Sequence, residues 1–380
     1  MKNIPILILT TFISTQFLFE SNHRVANTIS TDSTSTLTIS FVGDLMCHSP
    51  QMDYAHIGKD SFDFKPVFRE VKRFLSSSDI TIGNLETTID GKENRYSGYP
   101  LFNSPDEYLD ALKDAGFDIL LTANNHSIDR GKKGVIRTIE KIHSLGMSLI
   151  GTFNSQHDRD SIRVFEINGI KIALLAYTYG LNGNYISQNE KFLVNIIDTN
   201  VIKLDIGNAR GKNADVVLVY FHFGDEYQRK PNVYQKEIVR CTINSGADII
   251  IGSHPHVIQP LEYFTSEKNK IGEGIIAYSL GNFYSNQRWR YSDAGVVLNI
   301  SLMKNYSTGK VLLSNVSFIP TWIYKGKVEG KNEFVILPAD TLVSQLPKFL
   351  NKTDREKFLQ SYDDTQKMFR TLQRSQTTNH

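Results

Sequence analysis

Cysteine is nearly missing from this chain. The two present in 380 residues, Cys47 and Cys241, stand far apart and match no CxxC or zinc-ribbon spacing, which excludes a thiolate metal fold and a disulfide-dense scaffold. They are left either to a single disulfide or, the better reading, to packing, with Cys241 on the buried face of an amphipathic helix. An excess of one charge is missing too. Lys and Arg total 42 against 40 Asp and Glu, a net +2, and no basic block stands out, so nothing marks a nucleic-acid surface. No internal repeat is visible. No apolar run reaches the ~20 residues of a comfortable membrane span. The longest candidate, residues 4–19 after Lys2, is broken by Pro5, Thr10, Thr11, Ser14, Thr15 and Gln16.

What is present divides the chain. Residues 1–26 read as a secretion signal or, if uncleaved, an N-terminal anchor. No A-x-A site is evident, and no cysteine follows to suggest a lipoprotein. Residues 27–36 are a Ser/Thr-rich spacer. Residues 37–340 form the folded domain, long enough for a sizeable core. Residues 341–380 are a polar tail, partly helical, with one amphipathic stretch near 348–372.

Within the domain, strand and helix signals alternate. Residues 37–42 alternate as a strand ending at Gly43-Asp44, 64–75 read as a helix, and 80–82 as a strand ending at Asn84 and Glu86. Ser104-Pro105-Asp106-Glu107 starts a helix with Ser104 as cap and proline first. Residues 119–121 form a strand before Asn124-Asn125-His126, and a helix over 131–145 closes at Gly146. Residues 163–167 and 170–177 flank Asn168-Gly169, a hairpin signal. The apolar run 216–220 leads to His222 and Glu226. Pro231 opens a helix to about 244, and the run 249–252 ends in Ser253-His254-Pro255-His256. Residues 275–278, 296–302 and 311–323 are further strands. The order is βαβαβα, a hairpin, βαβ, then more strands, an α/β layered architecture.

Such sheets bind ligands outside the carboxyl ends of their strands. Each strand end here carries a metal-capable group or a close polar neighbour: Asp44, Asn84, Glu86, Asn125, His126, His222, His254 and His256. Pro255 is expected to hold the chain extended while both flanking imidazoles project. Carboxylates that bridge, with imidazoles and an amide to complete the spheres, suit two cations about 3.5–4 Å apart. His23, His56, His143, His157 and His380 have no such placement and read as surface or structural.

Five segments carry a resemblance: Phe41-Val42-Gly43-Asp44-Leu45-Met46, Gly83-Asn84-Leu85-Glu86, Ala123-Asn124-Asn125-His126, His222-Phe223-Gly224-Asp225-Glu226-Tyr227 and Gly252-Ser253-His254-Pro255-His256. With Gln259-Pro260 and Tyr278-Ser279-Leu280-Gly281-Asn282-Phe283, this set resembles the CapA family of capsule and poly-γ-glutamate synthesis proteins, of the calcineurin-like metallophosphoesterase superfamily. The resemblance implies a metallophosphoesterase-like layered sandwich, two facing β-sheets flanked by helices, with two divalent ions (Mn, Zn, Fe or Mg) at one sheet edge. It implies Asp44 and His256 on the first metal, Glu86 bridging, and Asn125, His222 and His254 on the second. His126 would act beside them on the leaving group. The superfamily's histidine two residues after the first aspartate is Met46 here, which leaves the first-metal site weak, rearranged, or completed by Asn84, Glu226 or His48. Glu226 reads as ligand, general base or orienting group. Asn282 reads as a substrate contact, a support behind the ligands, or a turn residue.

The leading expectation is an exported protein, secreted, periplasmic or cell-surface, that acts by metal-assisted hydrolysis or transfer on a phosphoester or γ-glutamyl bond. Its implied partners are an anionic polymer or phosphoester substrate and membrane-bound capsule synthesis machinery, without nucleic acid. The rival is a non-catalytic polymer-binding factor for assembly or export. A third reading is an extracellular nucleotidase or phosphatase, for which residues 286–291 (NQRWRY) either stack a base or a sugar or form an ordinary surface loop.

Overall fold

The computed structural model describes residues 33–339 and 346–369. The expected signal or anchor (1–26) and most of the spacer lie outside them. The first half supplies β1 (Thr34–Leu45), α1 (Ser49–Ala55), β2 (His56–Gly58), β3 (Ser61–Phe62), α2 (Lys65–Phe68), α3 (Lys72–Leu75), β4 (Ile80–Leu85), α4 (Asp106–Ala115), β5 (Ile119–Leu121), α5 (Gly131–Ser144) and β6 (Ser148–Ile150). Next come α6 (Gln156–Asp160), β7 (Val164–Ile167), β8 (Ile170–Thr178), α7 (Thr199–Gly211), β9 (Val216–His222), α8 (Val233–Ser245) and β10 (Ile249–Ser253). The chain continues through β11 (Leu261–Phe264), β12 (Gly274–Ala277), β13 (Asn282–Tyr284), β14 (Ala294–Asn305), β15 (Val311–Val328), β16 (Lys331–Pro338) and α9 (Lys352–Phe369).

Apart from β2 and β3, which pair only with each other, these strands build two sheets. One has eight strands in the order β16-β15-β14-β1-β4-β5-β6, with β13 also pairing β1; the other runs β11-β12-β10-β9-β8-β7. The middles of both are parallel: β1, β4, β5 and β6 in one, β8, β9, β10 and β12 in the other. Alternation along the strands explains why the sheets face each other. Ile172 and Leu174 of β8, Leu218 and Tyr220 of β9, and Ile249 and Ile251 of β10 join Ile39, Phe41 and Ile82 in one core. Their neighbours Leu175, Val217, Val219 and Ile250 point the other way, onto Ile202 and Ile206 of α7 and Ile238 of α8. Strands covered on both faces must be apolar at every position, hence the unbroken Val/Ile runs. The α/β sandwich of two facing sheets flanked by helices is the fold expected.

Local expectations fared unevenly. Asn168 and Gly169 take φ of 51° and 73°, as a two-residue hairpin turn requires. The helix expected over 64–75 is instead two short pieces, because the connecting turn closes through tighter bonds (Val71 N–H to Phe68 O, Phe74 N–H to Val71 O). Helix α4 is capped by Pro105, not Ser104. The Ser104 hydroxyl is instead buried against Thr87 Oγ1 at 2.6 Å. Helix α8 starts two residues after Pro231, where Asn232 and Gln235 form a reciprocal cap. Helix α7, capped by Asp198, escaped the sequence reading, although parallel β8 and β9 need a crossover. Spacer residues Thr34–Thr36 belong to β1, laddered with Asn305, Lys304 and Met303 of β14. The two cysteines are free; Cys47 is buried, but Cys241 is only half-buried rather than core. Helix α9 packs Phe358 edge-on to Trp322.

One close approach holds the functional edge together. A Cβ on Gly43 would lie 1.9 Å from the Gly281 carbonyl oxygen, while the neighbouring Asp44 N–H donates to that oxygen at 3.0 Å. Gly43→Ala should therefore destabilise the domain by at least the ~1–3 kcal/mol typical of overpacking, read as a lower urea midpoint, whereas Gly309→Ala on an open turn should cost less.

Candidate metal centre

The carboxyl ends of both parallel regions open at one edge. Asp44 sits near the end of β1, in register with Asn84 of β4 and Asn282 of β13. Glu86 follows β4, and Asn124, Asn125 and His126 follow β5. From the other sheet, His222 closes β9 opposite Ser253 of β10, and His254 and His256 come directly after. All of these side chains are buried. The HPH segment is not extended, as proline chemistry had suggested. His254 and His256 take φ of 98° and 56°, so the chain turns sharply there. Positive φ is costly for a residue with a Cβ and tends to persist where function needs it.

Hydrogen bonds tie the groups together. Asn84 Nδ2 donates to Asp44 Oδ1 at 2.8 Å and lies 3.4 Å from Glu86 Oε2 and 3.3 Å from His222 Nδ1. His256 Nδ1 is 2.9 Å from Asp44 Oδ2 and 3.2 Å from Asn282 Oδ1. His222 Nε2 is 2.8 Å from Asn125 Oδ1 and 3.5 Å from Glu86 Oε1. Asn124, which sequence reasoning passed over, donates to Asn84 Oδ1 (3.2 Å) and to the Leu85 carbonyl (2.8 Å), locking the loop after β5 onto the end of β4.

Electrostatics follow from burial. Burial alone would raise the Asp44 pKa, but the His256 hydrogen bond and charge, with His222 and Asn84, outweigh it and hold the carboxyl well below the usual range. Burial likewise opposes a charge on His256, yet Glu86 and Asp44 raise its pKa to about 9. Glu86 goes the other way: burial, then the Asp44 charge, push it well above the ordinary value. Burial drives His222 down to about 3, and burial with the neighbouring His222 drives His254 well below its usual value.

These features fit divalent cations. The Glu86 Oε1 and His254 Nδ1 atoms are buried with no hydrogen-bond partner, and a buried polar atom of this kind wants one. Among the described residues, ligand atoms of Glu86, His254 and His256, and of Asp44, Glu86 and His222, lie within 4.8 Å of one another. Glu86 belongs to both groups, as a carboxylate shared by two ions would. Oxygen and imidazole donors suit Mn, Fe, Zn or Mg.

Other expected residues stand apart. His48 caps α1, with Nδ1 3.0 Å from Gln51 Oε1, and belongs to neither group. Glu226 is exposed on the loop after β9. Its charge reaches Tyr179 and helps burial raise that phenol to about 12. Asn282 is no simple turn residue: its Nδ2 donates to the Ser292 carbonyl at 2.8 Å while its Oδ1 faces His256. Met46 is buried and its sulfur accepts from Ser285 Oγ at 3.7 Å, so a thioether fills the place of the missing imidazole. Two residues were overlooked. Asp129 Oδ2 lies 2.7 Å from His126 Nδ1, a partner that the His-x-x-Asp spacing could have suggested. Asn182, from the loop after β8, accepts from Asn125 Nδ2 at 3.1 Å and sits 3.4 Å from His126 Nε2; no local pattern announces it.

Comparison with known proteins gives concordant findings. Residues 38–287 match the family model described as "Bacterial capsule synthesis protein PGA_cap". The chain is 32% identical over 269 residues to the capsule biosynthesis protein CapA of Bacillus anthracis, covering 69% of this chain and 63% of that one. It is 30% identical over 285 residues to the PGA biosynthesis protein CapA of Bacillus subtilis, covering 74% and 72% respectively. Similar solved structures include the NAD nucleotidase of Haemophilus influenzae, with a TM-score of 0.48 and 12% identity over 87% of this chain and 63% of that one. A phosphatase from Mycoplasma pneumoniae has a TM-score of 0.43 and 15% identity over 76% and 95%.

Manganese or zinc at a hundredfold excess over its dissociation constant should stabilise the protein by about 2.7 kcal/mol, seen as a rise in melting temperature. Glu86→Ala should lose most of that rise because both ligand groups share the residue, and Glu226→Gln should keep it.

Proposed function

The chain belongs to the PGA_cap family of bacterial capsule synthesis proteins, and on that footing we propose that it is an exported capsule or poly-γ-glutamate factor. Its strand-end site would hold two divalent ions and carry out hydrolysis or transfer at a phosphoester or γ-glutamyl bond. The observation that supports this best is Glu86, shared by two ligand groups inside a buried edge. Export is supported by Lys2 and the apolar residues 4–19, outside the described residues. A polymer substrate and membrane-bound synthesis machinery are the partners that the family's role favours. The chain spans 63% of the Bacillus anthracis relative's length.

The resemblance puts Asp44 and His256 on one ion and Asn125, His222 and His254 on the other, whereas the ligand atoms group as Asp44 with His222 and as His254 with His256; Glu86 is common to both groups and would lie between the ions. Divalent ions so placed supply Lewis acidity toward a phosphoryl or acyl oxygen. The chain's own residues do the rest. Asp129 accepts from His126 Nδ1 and from the Phe102 N–H (2.8 Å), which orients the ring and leaves Nε2 facing the site. With Nδ1–H held by Asp129, Nε2, which lies 3.4 Å from Asn182 Nδ2, would deliver a proton to a leaving oxygen or nitrogen from the imidazolium form and end as neutral imidazole. Glu226, exposed on the loop after β9 and in neither ligand group, would orient substrate rather than ligate.

The second reading, a polymer-binding factor without turnover, draws support from buried Met46, which leaves the first ion one imidazole short. The two readings part on activity. With metal content confirmed by elemental analysis, a generic phosphodiester and poly-γ-glutamate should be offered to wild type and to His126→Ala. Turnover that falls by about 10²–10⁴ in the variant at unchanged metal content supports the hydrolase. Bound metal with no turnover on either substrate leaves the binding role.

A further inference from the structure

Around the metal centre stands a set of aromatic rings that the proposed chemistry does not use. Tyr179 lies over His254 (4.5 Å between ring centroids) and near-parallel to His222 (6.5 Å). Tyr227 lies 6.1 Å from His256, and Trp289 packs edge-on to Tyr227 at 5.0 Å. Tyr99 stands 6.4 Å from His126. Each site imidazole thus has an aromatic neighbour, yet all four outer rings remain open to solvent: Tyr99 is 73% exposed, Trp289 51%, and Tyr179 and Tyr227 38% each.

The rim is fixed in place. Tyr227 holds positive φ (64°) and its hydroxyl accepts from Gln287 Nε2 at 3.1 Å. Gln287 Oε1 in turn accepts from Asn282 Nδ2 at 3.1 Å, so the rim is linked to the wall of the metal site. One residue beyond Trp289, Arg290 forms a two-pronged pair with Asp364 of α9 (2.9 and 3.0 Å). Half-exposed and packed edge-on to Tyr227, Trp289 leaves apolar surface in water that a ligand can cover.

We propose that this rim is a subsite for a sugar ring, and that the substrate of the metal centre is a glycosyl-bearing phosphoester. The inference rests on the phosphoester form of the function proposed above. Aromatic faces bind the apolar C–H face of a pyranose, and phenol, amide and carboxylate groups bind its hydroxyls. The rim supplies both: Tyr227 packs on Trp289, and Gln287 and exposed Glu226 adjoin Tyr227. An anionic chain fits less well, since the Glu226 carboxylate acts on both Tyr179 and Tyr227 and Arg290, the cation next to Trp289, is already paired with Asp364. A nucleobase fits less well too, because Tyr227 and Trp289 meet at 67° and offer no parallel pair to sandwich a flat ring.

The chain has two tryptophans, and Trp322 is buried with its Nε1 donating to Asp293 (2.8 Å), so ligand-induced emission changes report on Trp289. Manganese-loaded protein should be titrated with glucose 1-phosphate, with glycerol 1-phosphate as the ringless control, with AMP, and with methyl glucoside. The sugar phosphate should bind about tenfold tighter than glycerol phosphate, as stacking on two rings would give, and should shift Trp289 emission. Trp289→Ala should erase that preference while leaving glycerol phosphate affinity unchanged. Equal affinity for ringed and ringless phosphates, a preference that survives Trp289→Ala, or tighter binding of AMP than of the sugar phosphate would each overturn the proposal. Should neither phosphate bind, the phosphoester reading fails by itself: methyl glucoside perturbing Trp289 would still uphold the sugar subsite, and its failure to do so would overturn it.

Discussion

Asp44 and Glu86 are buried carboxyls a few ångströms from the same imidazoles, and two like charges in a low-dielectric interior cannot both stand unneutralised. The protein resolves this in part by itself. His256 and Asn84 satisfy Asp44, while Glu86 Oε1, with His222 and His256 nearby, has no hydrogen-bond partner among the described residues. The Glu86 pKa, raised by burial and by Asp44, measures the remaining imbalance. Cations would remove it. A cluster so dependent on an outside charge is a poor way to stabilise a fold and a good way to hold a metal, because replacing such groups by apolar ones often stabilises a protein.

The rest of the architecture keeps those groups in reach of one another. Two parallel regions, each apolar on both faces, pack so that their carboxyl ends share an edge. Gly43 lets the Gly281 carbonyl approach closely enough to bring Asn282 beside Asp44 and His256. Asn124 pins the loop of Asn125 and His126 to the end of β4. The strained turn at His254 and His256 is supported by these neighbours and aims both rings inward. Rigid elements and short polar links position the site, and the loops outside them form its rim.

The chain belongs to a family of bacterial capsule synthesis proteins, and a sandwich of two facing sheets gives the frame. Fold and family do not choose the bond. Under the proposed function, that choice would lie with the residues around the metal centre: the His126–Asp129 pair, Glu226 at the edge, and the ring-lined mouth. Helix α9 takes part at a distance, since Asp364 anchors the segment that carries Trp289.

The sequence by itself determined the layered class, because unbroken Val/Ile runs ending in polar groups have few other uses. It determined the hairpin at Asn168-Gly169, because only certain residues tolerate positive φ at both turn positions. It also placed the side chains that meet at the edge, since the ends of parallel strands in one sheet open on the same side. Tertiary structure alone decided the remainder. Helix α7 has a weak local signal and is required by the crossover between β8 and β9. The backbone at Pro255 bends because its neighbours hold both histidines at positive φ, against the local preference for extension. His48 was drawn into capping α1, Met46 into the core, and Asn182 into contact with His126 from 56 residues away. Such outcomes depend on which distant groups compete for a side chain, and a chain read in order carries no record of that competition.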